Sequence, residues 1–232
     1  WGGELGVVAA DRFERLAHLA AVPMPGGGAA VLEPWRMAVA HLLAADRLSS
    51  PGGAVAELRG RHADRWEAVA DLARTGVRSP TTTSAGRLFD AVAALCGAGD
   101  SNTYEGQAAT ALESLAARAG PGHPPYDAGF DEVDGRLQLR GADLVRAVVD
   151  DRAAGTAPEE VAARFHAGLA ALATRALVQL RAATGLATVA CSGGVFQNAV
   201  LTEDLARRLR AEGFTVLLHR QVPPNDGGIA LG

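Results

Sequence analysis

The chain has 232 residues, of which 48% are apolar, and a formal net charge of −4 at pH 7. This length is enough for one large or two small domains with cores of their own, and the acidic balance argues against a nucleic-acid partner. No signal peptide and no apolar run of membrane-spanning length is visible in the sequence, so a membrane partner is not expected either.

The two cysteines indicate the compartment. Cys96 and Cys191 lie far apart in sequence, each among apolar neighbours. Such positions favour buried thiols over a disulfide or a pair of metal ligands. We therefore expect a cytoplasmic protein.

The chain begins with a predicted hairpin. Residues 1–8 and 12–22 form its two strands, with Asp11 at the turn. His18 falls inside the second strand, and we interpret it as a structural histidine that packs or hydrogen-bonds within the fold. A break at the letters PMPGGG follows the hairpin.

Helices follow this break. One is predicted from Glu33, and residues 63–73 form the next, with a loop over residues 49–53 between them. We expect these helices to pack around the core. Arg36 is the one polar residue expected on the inward side of the first helix.

The stretch TTTSAGRLFDAVAALCG, residues 81–97, predicts a third helix. Ser84 is suited to the N-cap position, and apolar residues then recur at helical spacing. Gly86 lies in the first turn, where a better helix former is usual, which indicates that another group approaches the backbone there. Asp90 lies one turn further, on the same side as Gly86 and Arg87.

A second glycine-marked helix start follows at SNTYEGQ, which contains Glu105 and Gly106, and this helix is predicted to end at Gly120. A hairpin is then predicted over residues 131–139, and a short helix over residues 142–149. The letters TAPE are interpreted as a capping box that starts a long helix. This long helix leads to the last part of the chain.

Residues 187–228 predict a strand, a glycine turn, a helix and a second strand. In such a unit the two strands are normally parallel. Gly193 and Gly194 lie in the turn after the first strand, where a helix N-terminus and bare backbone suit a phosphate. A tight turn without a ligand is an equally valid interpretation of two adjacent glycines alone.

A second polar turn, PPNDGG, follows the second strand of this unit. Ligands in open parallel sheets bind at the carboxyl ends of the strands. Both turns lie at such ends, so Asp226 and the glycines of the two turns are predicted to converge on one ligand site.

The ordered motifs WGGEL, EPWRMA, TSAGRLFDAVAAL, YEGQAA, SGGVFQN and PPNDGGIALG resemble the HypF family of hydrogenase-maturation carbamoyltransferases. The resemblance is to the C-terminal domain of that family, which is related to TsaD, and it covers essentially the whole chain. It implies an α/β fold of the actin, sugar-kinase and Hsp70 type (ASKHA), with a nucleotide between two lobes. Residues 1–80 would be the remainder of a first lobe, truncated at its N-terminus, with a helical insertion. Residues 81–232 would be the largely complete nucleotide-binding second lobe.

The resemblance also implies a set of site residues. Arg87 is the candidate for stabilising negative charge during catalysis, and Asp226 matches a metal-ligating aspartate of the family. The remaining matches are expected to line the site of the nucleotide: Gly86, Asp90, Glu105, Gly106, Gly193, Gly194 and Asn198.

The cofactors and partners that the resemblance implies are ATP or carbamoyl-adenylate and a divalent metal, either Fe, Zn or Mg. An upstream YrdC-like domain would make the carbamoyl-adenylate, and the carbamoyl group would pass to the C-terminal cysteine of a HypE-like protein. Three features depart from the family. The paired metal histidines are expected upstream of WGGE, His18 and His41 do not reproduce their pattern, and Gly28 replaces a usual aspartate. Alone, residues 1–232 are therefore expected to be inactive.

Two alternatives remain open. One is an O-carbamoyltransferase that acts on a small hydroxylated natural product, and the other is an inactive module that docks HypE. A hydroxyl acceptor needs a base or a metal, whereas a thiol is partly ionised near neutral pH. No histidine of the motifs is evidently placed to serve as a base, which favours the thiol acceptor.

Overall fold

The computed structural model describes residues 1–231, and the side chains of residues 1–228. Gly232, the last residue of the PPNDGGIALG motif, lies outside the described residues. The first half contains β1 (Glu4–Val8), β2 (Phe13–Leu19), β3 (Val22–Pro23), α1 (Ala29–Leu32), α2 (Pro34–Ala44), α3 (Gly53–Arg61), α4 (Trp66–Thr75), β4 (Thr81–Thr82), α5 (Ala85–Leu95) and α6 (Gln107–Ala119). The second half contains β5 (Phe130–Val133), β6 (Arg136–Leu139), α7 (Gly141–Ala153), α8 (Pro158–Thr184), β7 (Thr188–Ala190), α9 (Ala199–Ala211) and β8 (Thr215–Leu217), with 3₁₀ turns at Gly194–Gln197 and Asp226–Leu231.

The larger sheet has the strand order β1-β2-β6-β5. Its two hairpins confirm the sequence-based predictions, since β1 pairs antiparallel with β2, and β5 with β6. Asp134 and Gly135 both have positive φ angles, as a two-residue hairpin turn requires. The parallel pairing of β2 with β6 joins the two hairpins, so this sheet contains strands from both sides of residue 80.

The smaller sheet consists of β7 and β8, which are parallel and joined by α9. The predicted strand–turn–helix–strand unit is thereby confirmed. Gly213, with a φ of 82°, follows the end of α9 in the left-handed conformation that commonly ends a helix. Within the described residues, β1 pairs only with β2, and β7 only with β8.

The core is formed mainly by helices. α5 contacts α2, α6 and α7, so nearly every one of its side chains is buried. Trp35 of α2, Phe89 of α5 and Phe165 of α8 are among the largest fully buried side chains. α8 has 27 residues and contacts α6, α7 and α9, and it thereby connects the helical core to the smaller sheet.

Several predicted boundaries are wrong. α3 begins at Gly53, the last residue of the predicted loop, and was not anticipated. α7 extends to Ala153, four residues beyond its predicted end. The capping box is also wrong, because Pro158 occupies the first turn of α8 and the N-cap is Ala157, which makes no side-chain cap bond.

Both thiols are free and buried, as predicted. Burial raises the pKa of Cys96 to about 12 and that of Cys191 to about 11, so neither thiol ionises readily. The expectation about apolar runs needs one correction. Among the described residues, α8 is long and apolar enough to cross a membrane, although 61% of its most apolar window is buried inside the protein, as in a core helix.

Candidate functional site

A cleft of about 1090 Å³ lies between the β1–β2 hairpin, the starts of α5 and α6, the C-terminal half of α8, and the smaller sheet. It brings together segments that are far apart in sequence. The lining includes all nine predicted site residues: Gly86, Arg87, Asp90, Glu105, Gly106, Gly193, Gly194, Asn198 and Asp226. Their location in one cleft is a structural result, whereas their roles toward a ligand remain predictions.

One wall of the cleft is the glycine turn after β7. Gly193 has a φ of 111°, which side chains rarely adopt, and its N–H donates to the carbonyl of Pro224 at 2.7 Å. This bond ties the two predicted turns together. A Cβ atom on Gly193 would meet nothing within 4 Å, and one on Gly194 would meet only Asn225, at 3.9 Å. The space beside the turn is therefore open to the cleft.

Asn198 ends the 3₁₀ turn and begins α9. Its Oδ1 accepts a hydrogen bond from the Leu201 N–H at 2.9 Å, which makes Asn198 the N-cap of α9. Its Nδ2 lies 2.9 Å from Nε2 of His166. Most of the amide is thus used within the protein, and one Nδ2 hydrogen remains for a ligand.

The opposite wall carries Arg87 and Asp90. Arg87 Nη1 lies 2.9 Å from Asp90 Oδ2, but neither that nitrogen nor either Asp90 oxygen has a hydrogen bond of good geometry among the described residues. The Asp90 side chain is fully buried. Burial raises the pKa of Asp90 to about 6, and the Arg87 charge offsets only part of this increase. An ionisable group without satisfied oxygens is costly unless a ligand supplies the missing donor.

Two further glycines leave space at helix N-termini. Gly106 precedes α6 with a φ of 79°, and a Cβ atom there would meet nothing within 4 Å. Among the described residues, a Cβ atom on Gly86 would meet only the Ser84 hydroxyl, at 3.5 Å, so the space beside this glycine is open. Ser84 is the N-cap of α5, as predicted. Both helix starts face the cleft and suit an anionic ligand.

A resident metal does not fit the described residues by themselves. Asp226 is an exposed carboxylate at the start of the last 3₁₀ turn. No group of three or more His, Cys, Asp or Glu side chains within residues 1–228 lies close enough together to hold a metal ion. A single carboxylate supplies fewer ligands than a divalent cation needs.

His18, Arg36 and Gly28, for which we predicted no role in the site, lie outside the cleft lining. His18 is buried and bonds through Nδ1 to the Leu19 carbonyl at 2.8 Å, which confirms it as a structural histidine. Arg36 pairs with Glu33 at 2.5 Å and does not line the cleft. Gly28 precedes α1, and a Cβ atom there would meet nothing within 4 Å.

The sequence-based prediction missed His219. Its Nε2 lies 3.2 Å from Oγ of Ser192, which lines the cleft. Each of the two residues follows one of the neighbouring parallel strands, so the pairing of β7 with β8 places them at one edge. His219 itself lies outside the motifs and the cleft lining, so the expectation that no motif histidine is placed to act as a base stays a prediction. The register of the two strands was the signal that could have found this contact.

The family described as "Carbamoyltransferase, Kae1-like Domain, second subdomain" matches residues 1–232. Carbamoyltransferase HypF2 of Cupriavidus necator is 40% identical over the whole chain, and carbamoyltransferase HypF of Rhizobium leguminosarum is 39% identical. The chain spans 31% and 29% of the lengths of these two relatives.

Two solved structures have the same fold. One is full-length HypF in the phosphate- and nucleotide-bound form, with a TM-score of 0.90 and 31% identity over the whole chain, which spans 30% of that protein. The other is the HypF of T. kodakarensis, with a TM-score of 0.83 and 26% identity over 99% of the chain and 30% of that protein.

Proposed function

Because the chain belongs to the HypF family of carbamoyltransferases, we propose that its cleft binds ATP or carbamoyl-adenylate. The carbamoyl group then passes to the C-terminal cysteine of a HypE-like protein during nickel–iron hydrogenase maturation. One observation supports the nucleotide site above all. Three glycine-marked helix starts meet at one cleft, beside the buried pair of Arg87 and Asp90. The nucleotide- and phosphate-bound state of a structural relative is consistent with this proposal.

The glycine turn would bind the phosphate of the nucleotide. Gly193 and Gly194 let the phosphate approach the backbone of the turn, because no side chain of either residue fills the space beside it. Asp90 lies behind the opposite wall, where its fully buried side chain would orient Arg87, 2.9 Å away, toward the ligand. A nucleotide with a carbamoyl group on its phosphate would thus be held between the glycine turn and the wall that carries Arg87.

In the transfer step, the cysteine sulfur attacks the carbamoyl carbon. The C–S bond forms while the C–O bond to the phosphate breaks, and AMP leaves with the bonding electron pair. Negative charge builds on the carbonyl oxygen, and Arg87 is the cation on the cleft lining nearest to Asp90. Its N–H donors would stabilise this charge. The thiol proton passes to water before or during the attack, so that the thiolate sulfur forms the new bond.

The rest of the machinery is proposed to lie outside these residues. An upstream YrdC-like domain would supply the carbamoyl-adenylate, and the ASKHA lobes would divide at residue 80, with residues 81–232 as the nucleotide-binding lobe. We place this machinery in the cytoplasm. The metal at Asp226 stays a prediction from the resemblance, and no step above depends on it.

His219 gives the O-carbamoyltransferase alternative a specific observation in its favour. A hydroxyl acceptor needs a base, and the imidazole of His219 lies 3.2 Å from Ser192 at the edge of the cleft. The nature of the acceptor therefore has to be decided by experiment. The motifs favour the thiol.

Gly194→Val tests the proposed site. The φ of Gly194 is not in the left-handed region, so valine fits the backbone but fills the space opened toward the cleft. We expect the full-length variant to bind AMP roughly tenfold or more weakly, a loss of about 1.4 kcal/mol, in calorimetry. Gly60→Val in α3 is the matched control, because a Cβ atom there also meets nothing within 4 Å and Gly60 lies outside the cleft.

The same proteins test the acceptor. With ATP and carbamoyl phosphate, the wild type and Gly60→Val should add one carbamoyl group to a HypE-like protein, as measured by its intact mass, and Gly194→Val should not. An acceptor with serine in place of the C-terminal cysteine should stay unmodified. Equal modification of that serine would favour the O-carbamoyltransferase. A well-folded wild type without affinity for nucleotide would leave only the docking module.

A further inference from the structure

His166 is a buried histidine of α8 to which neither the motifs nor the comparisons give a role. Its side chain is 1% exposed and does not line the cleft. It nevertheless lies behind the site, because its Nε2 contacts the amide of Asn198 at 2.9 Å and its Nδ1 lies 2.7 Å from the Ala162 carbonyl oxygen.

The polarity of this hydrogen-bond chain is fixed by its two ends. The Ala162 carbonyl can only accept, so Nδ1 of His166 carries the proton and Nε2 has the free lone pair. At the other end the Leu201 N–H can only donate, so the Asn198 oxygen accepts from it. The Nδ2 group of Asn198 then donates to His166. Burial lowers the pKa of His166 to about 4, which keeps the ring neutral at physiological pH.

This chain anchors one wall of the cleft. Asn198 caps α9 and directly follows the 3₁₀ turn Gly194–Gln197, and its N–H donates to the Val195 carbonyl within that turn. The Phe196 N–H in turn donates to the carbonyl of Gly193. The position of Asn198 therefore determines where the glycine turn lies.

The same histidine contacts the other wall. Its ring packs edge-on against Phe89, with centroids 5.1 Å apart at an angle of 73°. Phe89 is the neighbour of Asp90 on α5 and also lines the cleft. The His166 side chain thus contacts one residue on each wall of the cleft. These are Asn198, which follows the glycine turn, and Phe89, which precedes Asp90.

We infer that His166 is a positioning residue for the nucleotide site, which holds the Gly193–Gly194 turn in place relative to Asp90 through its bond to Asn198. This inference rests on the proposed function, since it assumes that the nucleotide is bound by both walls. His166 itself contacts no substrate.

The test compares His166→Phe with His166→Gln in the full-length protein, with AMP as the ligand in calorimetry. Phenylalanine keeps the packing but offers Asn198 no acceptor, and we expect roughly a tenfold weaker affinity. Glutamine places an acceptor near the position of Nε2, and its affinity should stay within about threefold of the wild type. If His166→Phe does not fold, His166→Met makes the same comparison.

His41→Phe is the matched control. His41 is also buried, neither of its ring nitrogens has a hydrogen bond within the described residues, and it lies in α2 away from the cleft lining. Its replacement should change thermal stability but not the affinity for AMP. An equal loss of affinity in His41→Phe would show that the effect at His166 comes from a general disturbance of core packing. That result would overturn the inference.

The double variant Asn198→Ala with His166→Phe tests the route of the effect. If His166 acts through Asn198, the double variant should bind AMP as weakly as Asn198→Ala alone. Additive losses, or unchanged affinity in His166→Phe beside normal wild-type binding, would overturn the inference alone. Absence of binding by the wild type would instead overturn the proposed function, and this inference with it.

Discussion

At the scale of single residues, the carboxyl group of Asp90 is costly to bury. Its side chain is fully buried, and within the described residues its oxygens have no hydrogen bond of good geometry. Core packing alone gives no reason to place a carboxyl group there, because an apolar residue would cost less. The family resemblance predicted Asp90 as a site residue, and the helical spacing places it on the same side as Gly86 and Arg87.

The pH dependence of stability provides a test of this cost. Burial raises the pKa of Asp90 to about 6, from 3.8 for an exposed carboxyl. The folded state therefore binds the proton more tightly, and the resulting stability is present below pH 4 and lost as the pH rises through 6. We expect Asp90→Asn, which cannot ionise, to be more stable than the wild type by roughly 1–3 kcal/mol at pH 8 and by little at pH 4.

Urea unfolding of both proteins at the two pH values measures this difference. His41 and His166, whose pKa values burial lowers to about 4, titrate in the same range with the opposite sign. They are present in both proteins, so their contribution cancels in the comparison. A difference in unfolding free energy that is the same at pH 4 and pH 8 would show that folding does not shift the pKa of Asp90.

Sequence reasoning could find Gly193 and Asp226 because glycine-rich turns after strands have a local signature. It could not find His219 or His166. Each of these meets its partner, Ser192 or Asn198, only after distant segments pack together. A lone histidine in an apolar stretch carries no signal of such a contact.

At the scale of elements, amphipathic helices with a clear cap were predictable, as α5 and α9 show. α3 was missed because it begins at a glycine with a φ of 60° and has no strong apolar stripe. We predicted α8 from the sequence, but with the wrong N-cap residue. Proline fits the first turn of a helix, which places the N-cap at Ala157 and leaves Thr156 outside the helix.

The long α8 contains a glycine that its packing requires. A Cβ atom on Gly168 would lie 2.9 Å from both the Leu144 side chain and the Tyr126 carbonyl oxygen. Gly168→Ala should therefore destabilise the protein by about 1–3 kcal/mol in urea unfolding, although alanine is the better helix former. Gly60→Ala in α3, where the Cβ atom meets nothing within 4 Å, should be neutral or stabilising by up to about 1 kcal/mol. Stabilisation by both alanines would contradict this packing.

At the scale of the whole molecule, the cleft lies where the two sheets approach the same helices. The rule that ligands bind at the carboxyl ends of parallel strands found the turns after β7 and β8. It gave no information about the facing wall, because the hairpin β1–β2 and the starts of α5 and α6 reach the cleft through tertiary packing. The β2–β6 pairing, which joins segments more than a hundred residues apart, was equally invisible.

The smaller sheet determines how this cleft responds to a ligand. β7 and β8 have three residues each, and among the described residues they pair only with one another, whereas α5 is enclosed by other helices. So short a sheet is marginal by itself and belongs to the part of a protein that opens first. The amide hydrogens of Cys191 and Thr215, which donate across the sheet to the carbonyls of Leu217 and Ala187, should exchange with deuterium faster than that of Val92 in α5, and AMP should slow the first two selectively. Uniform exchange rates in the free protein would rule out such local opening.

The affinity for the ligand and the stability of the β7–α9–β8 unit are then thermodynamically linked. If the phosphate-binding turn is formed only while the β7–α9–β8 unit is closed, each opening removes the site, and each bound nucleotide holds the unit shut. A substitution far from the cleft that destabilises this unit would lower the fraction of molecules in which it is closed. The apparent affinity for the nucleotide would fall in proportion to that fraction, although no contact to the ligand changes.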